Sequence, residues 1–295
     1  MLKFLEMDKK GVDITFNWIF VIIAGTILLL FLIYFSWKQI GLFNIISINE
    51  VVDSINNEIT AFSIGISSNK IVNLPKDVIF KFKCGDVIYK NTRKDTFNLI
   101  YGEGNFKDSF LLWTNSWVFP FKIDNLYYAI NLNKKIFIIG NENMFFNLPD
   151  RFTKFNKLND EIKKEDVIVD FTNSKIFNKF KENKILDVDK EKSIITFYPE
   201  EKKEEFYGEA MIYGAVFSDY EDYICLKKKS LQKLDLISKL YKKKSEYLES
   251  NSKCSFQYDQ IEKTLDLFKV NPIKYQAVLI EQNDQIKRNG CISVF

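Results

Sequence analysis

Hydrophobic and polar positions follow three regimes along the chain. From Phe16 to Phe35 the run FNWIFVIIAGTILLLFLIYF carries no charge over twenty residues. At about 1.5 Å of rise per residue, a helix of that length covers the roughly 30 Å hydrocarbon core of a bilayer. A secretory signal peptide has an apolar region of about 7 to 15 residues and ends at a small-residue cleavage site. Tyr34, Phe35 and Trp37 stand where that site would fall. The second regime is periodic: Ile45, Ile48, Val51, Val52, Ile55, Ile59 and Phe62 recur at steps of three and four, the mark of an amphipathic helix. No proline interrupts residues 1 to 74. Span and stripe therefore make either one long rod or two helices broken near Gly41.

After Pro75 the third regime begins, with short β-rich runs at residues 78 to 84, 97 to 102, 126 to 131 and 135 to 140. The last two read as a hairpin turning through Leu132, Asn133 and Lys134. A helix-like stretch with Phe145, Phe146, Phe152 and Phe155 follows. DVIVDF at 166 to 171 reads as a strand, Lys175 to Phe180 as a short helix, and ILDVDKEKSIITFY as two strands about a turn. The continuous apolar run from Phe206 to Phe217 reads as a buried strand. From Glu221 helical spacing takes over, through Leu231, Leu234, Ile237, Leu240, Tyr241 and Leu248, and two more helices are expected over Ile261 to Phe268 and Tyr275 to Ile286.

The expected fold is therefore a single transmembrane helix plus an extracytoplasmic α/β or α+β domain, with a mixed sheet and a C-terminal helical hairpin or three-helix cap. In segments, this gives a cytoplasmic tail over 1–15, the transmembrane helix over 16–37 and an amphipathic juxtamembrane helix and linker over 38–74. A mixed-sheet domain over 75–219 and a helical region over 220–295 complete the chain. Orientation follows from the bases. Lys3, Lys9 and Lys10 precede the span, and Lys38 is the only base after it until Lys70, which keeps the N-terminus in the cytoplasm.

Composition narrows the function. The 295 residues are 46% hydrophobic, which argues against disorder; the 28 Phe and 14 Tyr beside only 11 Gly read as an AT-rich coding bias. A net charge of +3 gives no field to gather nucleic acid. The complete lack of histidine removes His-based triads, His metal ligands and the usual neutral-pH proton shuttle. Gly102-Glu103-Gly104 is a turn and lacks the Lys-Ser/Thr ending of a phosphate loop. No catalytic, metal or cofactor constellation is read from the sequence.

Four cysteines outside the cytoplasm can persist as disulfides. If residues 225 to 249 form one helix, Cys225 and Cys254 stand at opposite ends of about 36 Å, too far for a bridge. A helical hairpin turning near Asn251 would bring the segment after Tyr275 beside Cys225, so the expected pairs are Cys225 with Cys291 and Cys84 with Cys254. Asp219, Glu221 and Asp222 read as a helix start in preference to a cation site. Lys227, Lys228 and Lys229 lie fifteen residues before Lys242, Lys243 and Lys244, a phase difference of about 60° that would align them as one basic contact ridge or a solvated face. Trp113, Trp117, Phe119 and Phe121 offer either an aromatic platform or core packing.

Lys9-Lys10-Gly11 immediately before a long apolar helix resembles the archaeal class III signal. Together with the helix that is apolar first and amphipathic later, it resembles a type IV pilin, which implies cleavage after Gly11 and filament assembly. Phe16 stands where that family has a glutamate. The GVDITFNWIF segment, the WTNSWVFPFKIDNLYY block at 113 to 128 and Gly290-Cys291 resemble uncharacterised archaeal single-pass membrane proteins, which implies the same anchored topology.

Three functions are therefore expected in order: an anchored extracytoplasmic interaction or cell-envelope scaffold protein, a pilin-like filament subunit, and a membrane-attached enzyme using carboxylate chemistry. The expected partners are membrane lipid through the N-terminal helix and either another protein or further copies of the chain.

Overall fold

The computed structural model describes residues 9–62, 67–74, 78–140, 148–149, 154–155, 162–164, 166–172, 176–250 and 253–295. Helix α1, Lys9–Phe62, is unbroken over 54 residues, roughly 80 Å at the α-helical rise. Of the two readings the sequence left open, the single rod is the one found. Its segment Trp18–Gln39 is long and apolar enough to cross a membrane, and none of it is buried by the rest of the molecule. About two and a half turns beyond Gln39 the same helix is in the fold: Ile48, Val51, Val52 and Ile55 are each at most 1% exposed. Each such side chain contributes roughly 1.5–3 kcal/mol of transfer free energy.

Among the described residues, fourteen strands and four further helices follow. They are β1 Ser67–Asn73, β2 Ile79–Lys83, β3 Asp86–Tyr89, β4 Thr92–Lys94, β5 Ile100–Gly102, β6 Phe106–Lys107, β7 Ser109–Val118, β8 Lys122–Ile130, β9 Ile136–Ile139, β10 Lys154–Phe155, β11 Val167–Asp170, β12 Lys184–Asp189, β13 Ile194–Tyr198 and β14 Lys202–Glu205. The helices are α2 Glu209–Val216, α3 Tyr220–Glu249, α4 Ser255–Val270 and α5 Pro272–Arg288. Three sheets result, ordered β1-β7-β8-β5, β4-β3-β2-β6 and β10-β9-β11-β12-β13-β14. β1 lies within the stretch the sequence assigned to helix and linker.

The first sheet is the partition of the molecule. Successive side chains on a strand point to opposite faces, and on β7 both faces are covered. Phe110 and Leu112 join the core around α1 and the second sheet, with Phe80, Phe82, Phe106 and Ala129. Leu111 and Trp113 join the larger core with α2, β11–β13 and the C-terminal helices. Such double burial explains why Phe110 to Trp113 of β7 are apolar without alternation.

Two local expectations fail. The hairpin expected over 126–140 does not form, because β8 and β9 belong to different sheets, and β9 instead pairs in parallel with β11 and β10. Residues Asn131 to Lys135 are thus a crossing between sheets. The expected strand over 206–217 is instead α2, buried on every side. A short apolar run satisfies either geometry, and here Gly208 (φ +84°) turns the chain into the helix. Gly214 then admits the Tyr101 ring, which a Cβ at that position would meet at 2.7 Å. The stretch around Phe145, Phe146 and Phe152 lies outside the described residues, and Phe155 belongs to β10. The strands expected at 166–171 and on both sides of the 190–193 turn are present as β11, β12 and β13, and Ile176–Asn178 forms a short 3-10 turn.

Four residues separate Phe62 from β1, yet Val72 shares a core with Ile48, Val51, Val52 and Ile55. β1 therefore runs back along α1. Its antiparallel partner β7 then leads from Ser109 to Val118 away from the apolar segment. The helical cap sits at that far end, where Tyr241 of α3 packs on Phe121 with ring centroids 4.6 Å apart and Lys233 pairs with Asp124.

Candidate functional site

The four cysteines form two disulfides, but with partners other than those expected: Cys84–Cys225, with Cα atoms 5.4 Å apart, and Cys254–Cys291, at 6.5 Å. The hairpin assumption omitted a second reversal. α4 returns for only 16 residues, about 24 Å, and the chain turns again at Asn271-Pro272. α5 then carries Cys291 back to the Cys254 end of α3. Cys225, at the other end of α3, meets Cys84 in the β2–β3 turn. That turn is fixed independently, since the Cys84 N–H donates to Asp222 at 3.0 Å and Lys229 donates to the Cys84 carbonyl at 2.9 Å.

Asp219 begins α3 as the sequence suggested, its carboxylate accepting the Asp222 N–H at 2.8 Å. Trp113 and Trp117 are fully buried, and Phe119 and Phe121 are 3% exposed. They form no surface platform. Trp117 donates its indole N–H to the Tyr207 carbonyl, and Phe119 and Phe121 flank Phe268 of α4.

The six lysines do not form one free ridge. Lys227 pairs with Glu204, Lys229 with Asp86, and Lys242 with Glu262 and Asp266, while Lys244 donates to the Val294 carbonyl. Asp266, hydrogen-bonded beside it, raises the Lys242 ammonium above the ordinary lysine range. Lys228 and Lys243 are exposed and make no ion pair among the described residues.

Two polar groupings escaped the sequence reading. At the first, Lys184 of β12 donates to Glu103 at 2.9 Å, to the Val216 carbonyl at 3.1 Å and to the Ser218 carbonyl, and Lys134 reaches the same carboxylate at 2.7 Å. Burial pushes the Lys184 ammonium down to about 8, with Glu103 pulling it back only part of the way. Burial also pushes the Glu103 carboxyl up, but Lys184 and Lys134 outweigh it and hold it at about 2. A lysine poised near 8 could serve as a base or nucleophile. All three of its protons, however, are directed at acceptors, two of them carbonyls at and just beyond the C-terminal end of α2. Lys184 is a bolt joining the 103 turn, α2 and the third sheet.

At the second grouping, Asp170 and Asp187 sit opposite each other in the parallel β11–β12 pair, toward the strand ends where open α/β sheets bind ligands. Burial, then Asp170 and Asp189, raise the Asp187 carboxyl. Asp170 is turned back on its own chain, accepting from the Thr172 N–H and hydroxyl at 2.8 and 2.7 Å. Among the described residues no group of three or more His, Cys, Asp or Glu side chains could hold a metal ion.

One exposed stripe is apolar. On α3, Leu236, Leu240 and Tyr247 are 60%, 61% and 72% exposed. Leu236 and Leu240 floor a shallow depression of about 660 Å³ edged by Lys239, Lys243 and Glu246. No protein-family model, curated protein or solved structure matches the chain.

Proposed function

We propose that this chain is a membrane-anchored interaction or scaffold protein whose folded domain stands outside the cytoplasm. One observation carries the reading: a single unbroken helix bears a wholly exposed apolar segment of 22 residues and then becomes part of the domain core. An apolar helix surface of that size has a place in lipid and none in water. Continuity through Gln39 to Ile48 also argues against a removable leader, because a cleavage site needs an accessible extended segment. Two disulfides suit an oxidising compartment, and the excess of lysines before the span keeps the N-terminus inside. The surface offers docking faces in preference to a reaction centre, with Lys184 engaged in holding the fold and Asp170 turned back on Thr172.

Protease added to intact cells and to inside-out vesicles tests the reading. Digestion of the domain in cells and protection in vesicles is expected; the reverse pattern overturns the orientation. A soluble domain starting beyond Trp37 would replace the anchor with a leader.

The unbroken α1 also favours a second reading, a filament subunit whose apolar half-helices bundle together. N-terminal sequencing separates the two, since the filament reading requires a mature chain beginning at Val12.

A further inference from the structure

We propose that the outward face of the second half of α3 is the docking surface for an acidic amphipathic helix of a partner protein. The inference rests on the reading of the chain as an interaction protein and names the chemistry of what it binds.

Leu236, Leu240, Lys243 and Tyr247 follow one another at steps of four, three and four, so they share a single stripe of the helix. Leu234, Ser238 and Ser245 are buried on the opposite side, where α3 meets the rest of the fold. The outward stripe is not required for packing, yet it carries two leucines and a tyrosine, each at least 60% exposed. Such a stripe on a helix is the half-site of helix-against-helix recognition, read by apolar anchors at intervals of three and four.

Three occupants compete, and position and charge separate them. Sheet topology puts the α3 contacts with Phe121 and Asp124 at the end of the first sheet away from the apolar span. The helix from Gln39 to Phe62, about 35 Å long, separates the span from that level. The chain's own bilayer is out of reach of this face. A second copy would bring like against like, because a two-fold pairing sets Lys239 and Lys243 of one chain near the same lysines of the other. Among the described residues, an acidic helix meets Glu246 as the one unpaired carboxylate on the edge of the depression, against Lys239 and Lys243. Lys243 makes no ion pair among the described residues, and Lys239 holds only Asp235 on its own helix, an exposed pair with side chains 55% and 43% accessible. Exposed pairs of this kind are weak and readily exchanged for an incoming carboxylate. Lys228, exposed on the same side, extends the basic rim toward the start of the helix.

The test uses the full chain in its own membrane. A photoreactive benzophenone side chain is placed at position 240, and in a second variant at Gln232 on the edge of the stripe, so that one probe does not block the face. After irradiation of intact cells the crosslinked segment is identified by mass spectrometry. The expected product is an adduct to an Asp- or Glu-flanked amphipathic helix of another protein, falling about fivefold when Lys239→Glu and Lys243→Glu are introduced together. An adduct to a second copy, to lipid or to a segment without acidic flanks overturns the proposal. So does an adduct yield no higher than that of the same probe at Val270, which is 85% exposed on another helix. Protease protection showing the domain in the cytoplasm would sink the functional reading while leaving this crosslink result to stand or fall by itself.

Discussion

α1 and α3 are the two longest helices of the molecule, and each is buried along part of its surface, but they leave the fold in different ways. α1 is apolar all round over Trp18–Gln39, with nothing charged among the exposed side chains until Lys38. α3 exposes only a narrow apolar stripe set among lysines. The first pattern matches a surround without direction, such as lipid. The second matches one partner arriving from one side. Within the fold the helices differ again: α1 commits branched side chains to a dense aromatic core, whereas α3 buries Tyr223, Leu226 and Leu234 in the larger core and is further pinned by ion pairs, a cap and a disulfide.

The same substitution on both helices should break this comparison open. Val51→Asp puts a carboxylate into the α1 core and is expected to remove about 4 kcal/mol, read as a loss of cooperative denaturant unfolding in detergent. A mild effect would mean that α1 is merely laid against the domain. Next in size are the disulfides. Replacing Cys84 and Cys225 together should cost about 3 kcal/mol, and about 1 kcal/mol more than replacing Cys254 and Cys291, because the first bridge spans 141 residues and the second 37. Thermal denaturation of the two double variants gives the order. Equal losses would show that the ends of α3 are held equally by packing.

Glu103 supplies a smaller, pH-dependent contribution. Its folded-state value is about 2 against an ordinary 4.5. Its stabilisation is therefore fully present above 4.5 and drains away as pH falls toward 2. Glu103→Gln should cost about 2 kcal/mol at neutral pH and flatten the acid limb of the stability curve. Lys184 works in the opposite sense. Burial lowers its value from 10.5 to about 8, so its unfavourable charge is fully present below 8 and is relieved as pH rises toward 10.5. The smallest effect is expected at the outward face of α3, where Leu240→Asp should change stability by less than about 0.5 kcal/mol. A larger loss would mean that this stripe packs against the molecule itself.

Periodicity made the helices legible, since α3, α4, α5 and the buried stripe of α1 all repeat at three and four, although Leu240, which the spacing places in the α3 stripe, is exposed on the outward face. The strands were legible where one segment carries its own signal, as in the β12–β13 turn. Pairing was not legible between β8 and β9, because both are apolar on two faces and a short polar turn between them serves a hairpin or a crossing equally well. α2 follows the same rule: seven of its eight residues are buried, all but Glu209, and they leave no polar side from which to take a period. Glu103, Lys134 and Lys184 are scattered over 81 residues and meet only through the sheet order, so no local motif announces them. The cysteine pairing required knowing that the chain reverses twice, and the Asn271-Pro272 signal for the second reversal was present but unused.

An unbroken α1 also fixes rotation. With no joint between Gln39 and Ile48, the bearing of the domain relative to any one face of the apolar segment is set by the helical phase of the residues between them. One residue inserted there turns the domain by about 100° and lifts it by about 1.5 Å, whereas seven return it to within about 20° of its first bearing, some 10 Å higher. The helix is thus a compass as well as a post: any contact that holds one face of Trp18–Gln39 also sets the bearing of the α3 stripe.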